Sequence, residues 1–292
     1  MKYLPKKKWD WLERQRSNEY LVLVRVVPTT PKLGPQGIED EDDDEYDYDE
    51  DEDEPLMSVA LLLGAGVLSR IVFIFYLLSA IWYFVAHMNW DELYQSGTTP
   101  WEKGAAAPPL LEWLRKHGAL EGEVLVPGCG FGHDVRAIAA ASPKSTVVGI
   151  DISPTALKEA LGFSSVGREV FQSADIFALP QSLRSRFDWV FEHACFCAIQ
   201  PQRRLDYIKM AVSALKPEGQ LLAIFFLNPW DPEDEIPEGG GPPFGVTREE
   251  LDNLFNPHFS LVEELKPKTA YPGREGREIV RLLRKKRVGV SA

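Results

Sequence analysis

From position 89 to the carboxyl end, short apolar runs alternate with stretches of helical period. The runs fall near residues 123–126, 146–150, 169–172, 187–191, 220–226 and 277–283, with helical patterns at 107–117, 133–141, 154–161 and 201–215. Runs this short and continuous suit strands buried on both faces, and strands separated by helices imply βα units. The spacing predicts an α/β domain over residues 89–292, a Rossmann-like, mostly parallel sheet covered by helices on both faces. Lys216-Pro217-Glu218-Gly219 predicts a turn between a helix and a strand. Thr247-Arg248-Glu249-Glu250 has capping-box spacing, so a helix should open there and run to Phe255.

The pattern upstream is different. Residues 56–86 form a stretch of 31 carrying a single charge, Arg70. At about 1.5 Å per residue, a helix of that length exceeds the roughly 30 Å hydrocarbon core of a bilayer. Two arrangements fit. Residues 71–88 could span, with Arg70 at one interface and Trp82, Tyr83 and His87 towards the other, or Gly64 and Gly66 could break the stretch into a re-entrant hairpin. A buried helix of the downstream domain fits poorly, because polar residues at helical period are nearly absent. Residues 56–88 are therefore expected to anchor the protein to a membrane. The run starts too far from the amino terminus to read as a signal peptide.

Charge sharpens the division. The net charge of −12 arises from residues 39–54, of which 14 of 16 are acidic, and the rest of the chain is close to neutral. A like-charge run of that density cannot collapse, so residues 1–55 are expected to be disordered. No basic stripe interleaved with aromatics points to nucleic acid, and Arg284-Lys285-Lys286-Arg287 is expected to end a strand in solvent. Three cysteines, at 129, 195 and 197, are too few for a disulfide framework and suit a reducing compartment. With five scattered histidines there is no zinc spacing, and no metal is implied.

Candidate chemistry begins at residues 124–134, VLVPGCGFGHD, where an apolar run enters glycines at 128, 130 and 132. Gly128 suits a tight turn, Gly130 admits a ligand close to the backbone, and Gly132 lets the next helix pack closely. Asp151 ends the following apolar run, where a carboxylate can accept hydrogen bonds from ribose hydroxyls. The third glycine follows the second by two positions, so the dinucleotide fingerprint is not met. The segment instead resembles the first motif of class I methyltransferases, and Val-Pro-Gly-Cys-Gly resembles the thiopurine S-methyltransferase superfamily with its plant thiol and halide methyltransferases. Class I methyltransferases usually carry an acid two positions before the first glycine, where this chain has Val126.

The resemblance runs from Trp90 to about Arg287 and implies S-adenosylmethionine as cofactor. Trp90-Asp91-Glu92-Leu93-Tyr94 and Thr99-Pro100-Trp101 are similar to the segment whose aromatics close over the cofactor. Ring faces stabilise a sulfonium cation. The resemblance implies cofactor contacts from Trp90, Tyr94, Trp101, the three glycines, Asp151, Ile152, Asp175, Ile176 and His193. Asp175 would receive the adenine amino group while Ile176 packs on the ring, although an aspartate here also suits a helix cap. Residues 187–199, FDWVFEHACFCAI, resemble the fourth strand and following loop of thiol methyltransferases. Tyr or Arg takes the place of His193 in related proteins, which makes His193 the candidate to orient or deprotonate the acceptor. Trp101, Phe196, Pro243 and Phe244 would line the acceptor site, the last two within Gly239-Gly240-Gly241-Pro242-Pro243-Phe244.

Together these features imply an S-adenosylmethionine-dependent methyltransferase for a small soft nucleophile: a thiol foremost, with hydrosulfide, thiocyanate or halide as further acceptors. An O- or N-methyltransferase of a lipophilic metabolite and a catalytically silent membrane-tethered scaffold are the alternatives. The cofactor is made in the cytosol, so a membrane-associated enzyme should face it, and the protein would be cytoplasmic if residues 56–88 are not a true anchor.

Overall fold

The computed structural model describes residues 88–231, 233, 234, 236 and 240–287. Helix α1 (Trp90–Gln95) and helix α2 (Pro108–His117) lead into strand β1 (Glu123–Pro127). There follow α3 (His133–Ala141), β2 (Thr146–Asp151), α4 (Pro154–Gly162), β3 (Glu169–Ser173), β4 (Phe187–His193), α5 (Arg204–Ala214) and β5 (Leu215–Phe226). The described part ends with α6 (Arg248–Phe255), β6 (Phe259–Leu265) and β7 (Glu278–Lys285).

The strands form one sheet in the order β3-β2-β1-β4-β5-β7-β6. The first five lie parallel, and β7 is antiparallel to both β5 and β6. Alternate strand residues enter two separate cores. Val124, Val126, Phe191 and Leu222 pack with Leu110, Trp113, Val135 and Ile138 of α2 and α3, while Leu125, Val190 and Leu221 pack with Tyr207, Ile208, Leu251 and Phe255 of α5 and α6. Cover on both faces is what a mostly parallel sheet needs to keep its backbone dry, and the α/β expectation holds.

Local signals act as their chemistry dictates. The Thr247 hydroxyl accepts the Glu250 N–H at 3.0 Å and opens α6, and Ser153 caps α4 with Pro154 at its first position. Two expectations need correction. Residues 216–219 do not separate a helix from a strand: Leu215 already pairs with Phe187, and pairing resumes at Gln220 with Trp189, so the turn is an excursion within β5. Lys285 does not end in solvent either, because its ammonium donates to the Val212 and Leu215 carbonyls at 2.7 Å.

The expectation of a membrane-associated protein is also corrected. Among the described residues no helix is long and apolar enough to cross a membrane. Helix α5 has 11 residues and α2 has 10, whereas a span needs about 20, and each buries one side against the sheet. The expectations placed on residues 1–55 and 56–87 lie outside the described residues.

Candidate active site

Beyond Pro127 the chain turns at Gly128, Gly130 and Gly132, with φ of +58°, +51° and +72°. These are left-handed conformations that side chains resist. A Cβ on Gly130 would stand 2.9 Å from the Tyr94 hydroxyl, and one on Gly132 would strike the Phe171 ring on β3. Gly132 thus lies against the Phe171 ring of β3, and Gly130 against the Tyr94 hydroxyl.

Asp151 lies across this turn, only 6% exposed. One carboxylate oxygen accepts the Gly130 N–H and the other the Ser153 N–H, both at 2.9 Å. Burial pushes its carboxyl above the usual range, and the backbone donors oppose that shift. Two acceptor positions of about four are used, which leaves capacity for hydroxyl donors. Ile152 beside it is 53% exposed, an apolar side chain held in the open at a sheet end.

Helix α1 brings the aromatics over the turn. Tyr94 accepts a hydrogen bond from the Trp101 indole at 3.1 Å, and Trp101 meets both Trp90 and Tyr94 edge to face, with ring centroids 5.5 and 5.7 Å apart. Tyr94 also touches Phe131 of the glycine turn. Asp91 fastens the helix down: one oxygen accepts both the Ser153 hydroxyl at 2.6 Å and the Thr155 N–H at 2.9 Å. The N-terminus of α4 thus holds the aromatic segment through the Thr155 N–H and the capping Ser153 hydroxyl.

His193 closes β4, and its surroundings were not foreseen. Its Nδ1 lies 2.7 Å from Asp134 Oδ2 in the first turn of α3, while Asp134 Oδ1 accepts the Ala107 N–H at 2.7 Å. On the other side, Arg274 approaches Nε2 at 3.5 Å. Arginine has no acceptor, so Nε2 offers its lone pair and the proton sits on Nδ1, donated to Asp134. The same Arg274 nitrogen donates to Glu278 at 3.2 Å, and its guanidinium lies 4.7 Å over the Phe226 ring. Tyr271 stacks on His193 and donates its hydroxyl to the Ala105 carbonyl at 2.6 Å. No spacing signals this group in the sequence. An acid two residues into a helix reads equally as a partner for the helix dipole, and Arg274 sits in an ordinary polar loop.

The remaining expected residues are distributed as follows. Asp175 caps the short turn Ile176–Ala178 by accepting the Phe177 N–H at 2.8 Å, and Ile176 is half-buried beside it. Phe196 is not at the acceptor site: it is 2% exposed and packs among Tyr207, Phe225 and Phe255 in the α5/α6 core, because the loop after His193 turns inward. Phe244 is buried, its N–H donating to the Cys197 carbonyl at 2.7 Å, and Pro243 accepts the Trp230 indole at 3.1 Å. Arg204, 1% exposed, grips the same loop through the Phe244 and Gly245 carbonyls.

A glycine turn after β1, a carboxylate at the tip of β2 and this strand order define a class I methyltransferase, whose cofactor is S-adenosylmethionine. The profile described as "Thiopurine S-methyltransferase (TPMT)" matches residues 85–286, and the chain belongs to that family. It is 36% identical over 174 residues to thiocyanate methyltransferase 1 of Brassica oleracea, a match that covers 58% of this chain and 72% of that protein. It is 33% identical over 195 residues to probable thiol methyltransferase 2 of Arabidopsis thaliana, covering 65% and 81%. Among solved structures, a 1,6-didemethyltoxoflavin N1-methyltransferase of Burkholderia thailandensis, with S-adenosylhomocysteine bound, shares the fold at a TM-score of 0.51 and 20% identity, over 67% of this chain and 85% of that one.

Proposed function

We propose that the protein is the catalytic unit, over residues 89–292, of an S-methyltransferase whose acceptor is a small thiol, and that His193 is the base. The cofactor fits the cradle described. Asp151 would hold the ribose hydroxyls, with Ile152 and Ile176 against the purine and Asp175 at its amino group. Gly128 and Gly130 let the backbone make the left-handed turn, and Trp90, Tyr94 and Trp101 would face the sulfonium. When bound, S-adenosylmethionine supplies an electrophilic methyl group on a positively charged sulfur.

The chain's own residues then need to deliver a sulfur nucleophile in line and keep water out. Nε2 of His193 accepts the thiol proton in place of its 3.5 Å contact with Arg274, Asp134 holds the ring in the tautomer that keeps the lone pair on Nε2, and the Arg274 guanidinium stabilises the thiolate that results. Trp101, Pro243 and Phe244 line the approach. The observation that carries this reading is the half-buried Asp134–His193 pair at the end of β4, beside the Arg274 guanidinium.

A panel of acceptors with a methyl-labelled donor tests it. Methylation of small thiols, with hydrosulfide, thiocyanate and halide as weaker acceptors, is the expected result. Transfer to hydroxyls or amines with none to sulfur acceptors would reject it, and failure of the protein to bind the cofactor at all would indicate a silent scaffold.

A further inference from the structure

Glu278 begins β7, paired across the sheet with Phe226, and its side chain is 1% exposed. One oxygen accepts from Arg274, while Oε2 has no hydrogen-bond partner among the described residues. A buried carboxylate oxygen without a donor is costly, and native structures rarely leave one so. Two other buried atoms share this condition, but neither borders His193. Glu169 lies on the edge strand β3, and Arg204 Nε belongs to a guanidinium already bonded through its other nitrogens.

Several donors of the surrounding residues have other partners. The Tyr271 hydroxyl serves the Ala105 carbonyl, the His193 Nδ1–H serves Asp134, and Arg277 is paired with Asp231. The Cys197 thiol, pushed up to about 12 by burial, keeps its proton and directs it at the Ala194 carbonyl at 3.4 Å. A single Arg274 nitrogen touches both His193 Nε2 and Glu278 Oε1, so the base and the unsatisfied carboxylate lie within two contact lengths of each other.

We propose that Glu278 receives an N–H donor carried by the acceptor, which makes the substrate class a small aminothiol with its amine two or three carbons from sulfur. This rests on the reading of His193 as the group that meets the acceptor sulfur. In the reaction the sulfur loses its proton to His193 and forms the new S–CH3 bond. The bond between that methyl and the donor's sulfur breaks, with its electron pair leaving on the donor sulfur, and the amine stays bound and unchanged.

Two measurements decide it. With the protein saturated in S-adenosylhomocysteine, calorimetry should show 2-aminoethanethiol binding about tenfold more tightly than the isosteric 1-propanethiol, the worth of one hydrogen bond to a charged group. Equal affinities would mean that a water occupies the place and would overturn the proposal without any variant. In turnover, the kcat/KM preference for 2-aminoethanethiol over 1-propanethiol should shrink about tenfold in Glu278→Gln, which removes the charge and keeps the shape. Retained binding of S-adenosylhomocysteine establishes that the variant is folded. An unchanged preference, or thiocyanate outcompeting the aminothiol in the wild type, would also overturn it. Methylation of both thiols without preference removes this inference and leaves the S-methyltransferase reading intact, whereas methylation of neither removes both.

Discussion

Asp151 and Asp134 do different work with the same side chain, and their surroundings account for it. Asp151 holds two backbone N–H groups and has spare acceptor capacity, which the proposed function assigns to cofactor hydroxyls. Asp151→Ala should weaken S-adenosylhomocysteine binding by more than about tenfold, as expected for lost hydrogen bonds to a charged acceptor, and calorimetry would read it directly. Asp134 instead orients His193. Asp134→Asn should lower kcat/KM for a thiol by about a hundredfold near neutrality, the usual worth of general-base assistance. The deficit should close as pH rises past the thiol's own pKa of about 8.5, where the nucleophile arrives ionised. A deficit of the same size at every pH would show that Asp134 only supports the fold.

At the scale of elements, function depends on how strand ends and helix starts are joined. Helix α1 has six residues and would not persist alone, so its position comes from the Asp91 contact to the start of α4. That contact also holds the Asp91 carboxyl below the usual range, chiefly through the Ser153 hydroxyl. Asp91→Ala should loosen the helix, weaken cofactor binding about fivefold, as for loss of a capping side chain, and alter the tryptophan fluorescence contributed by Trp90 and Trp101. Unchanged affinity would mean that the rings hold their place by packing alone.

Across the whole molecule, stability is tied to a carboxyl that the chemistry does not use. Glu192, one residue before His193 and 1% exposed, accepts the Phe196 N–H at 2.7 Å and the Tyr207 hydroxyl, fixing the loop that leaves β4 through Ala194 at φ +62°. Burial pushes it up to about 7 from 4.5, against the opposing hydrogen bonds. Between those values the folded protein keeps a proton that the unfolded chain has released. Stability should therefore be fullest below about pH 4.5 as far as this group is concerned, fall as pH rises towards 7 and level off above. Melting temperatures of Glu192→Gln should lose that part of the decline between pH 5 and 7.5, and an identical decline would assign it to other groups.

Much of this architecture was legible along the chain. Apolar runs located β1 to β5 and β7, and for β1, β2, β4 and β5 the reason is that strands covered on both faces leave continuous hydrophobic signatures, whereas the edge strand β3 is half exposed. Strand β6 escaped notice: it is an edge strand with Leu261 and Val262 both exposed and a register shift before Glu263, so neither alternation nor a continuous run marks it. The glycines, Asp151 and the aromatics of α1 were recognisable because a backbone that bends and a ring that stacks each demand particular residue types. Phe196 was misplaced because a loop aromatic reads alike whether it turns to a ligand or to the core.

Sequence alone determined the parallel α/β sheet, the bare turn after β1 and the carboxylate facing it, since each follows from short-range pattern and backbone sterics. Only the tertiary structure decided what surrounds His193. Asp134 lies 59 positions before it and Arg274 lies 81 after, on separate elements. Their meeting, and the unsatisfied oxygen of Glu278 beyond them, arises from the way β4, α3 and β7 converge at one end of the sheet, a long-range arrangement that no local spacing encodes.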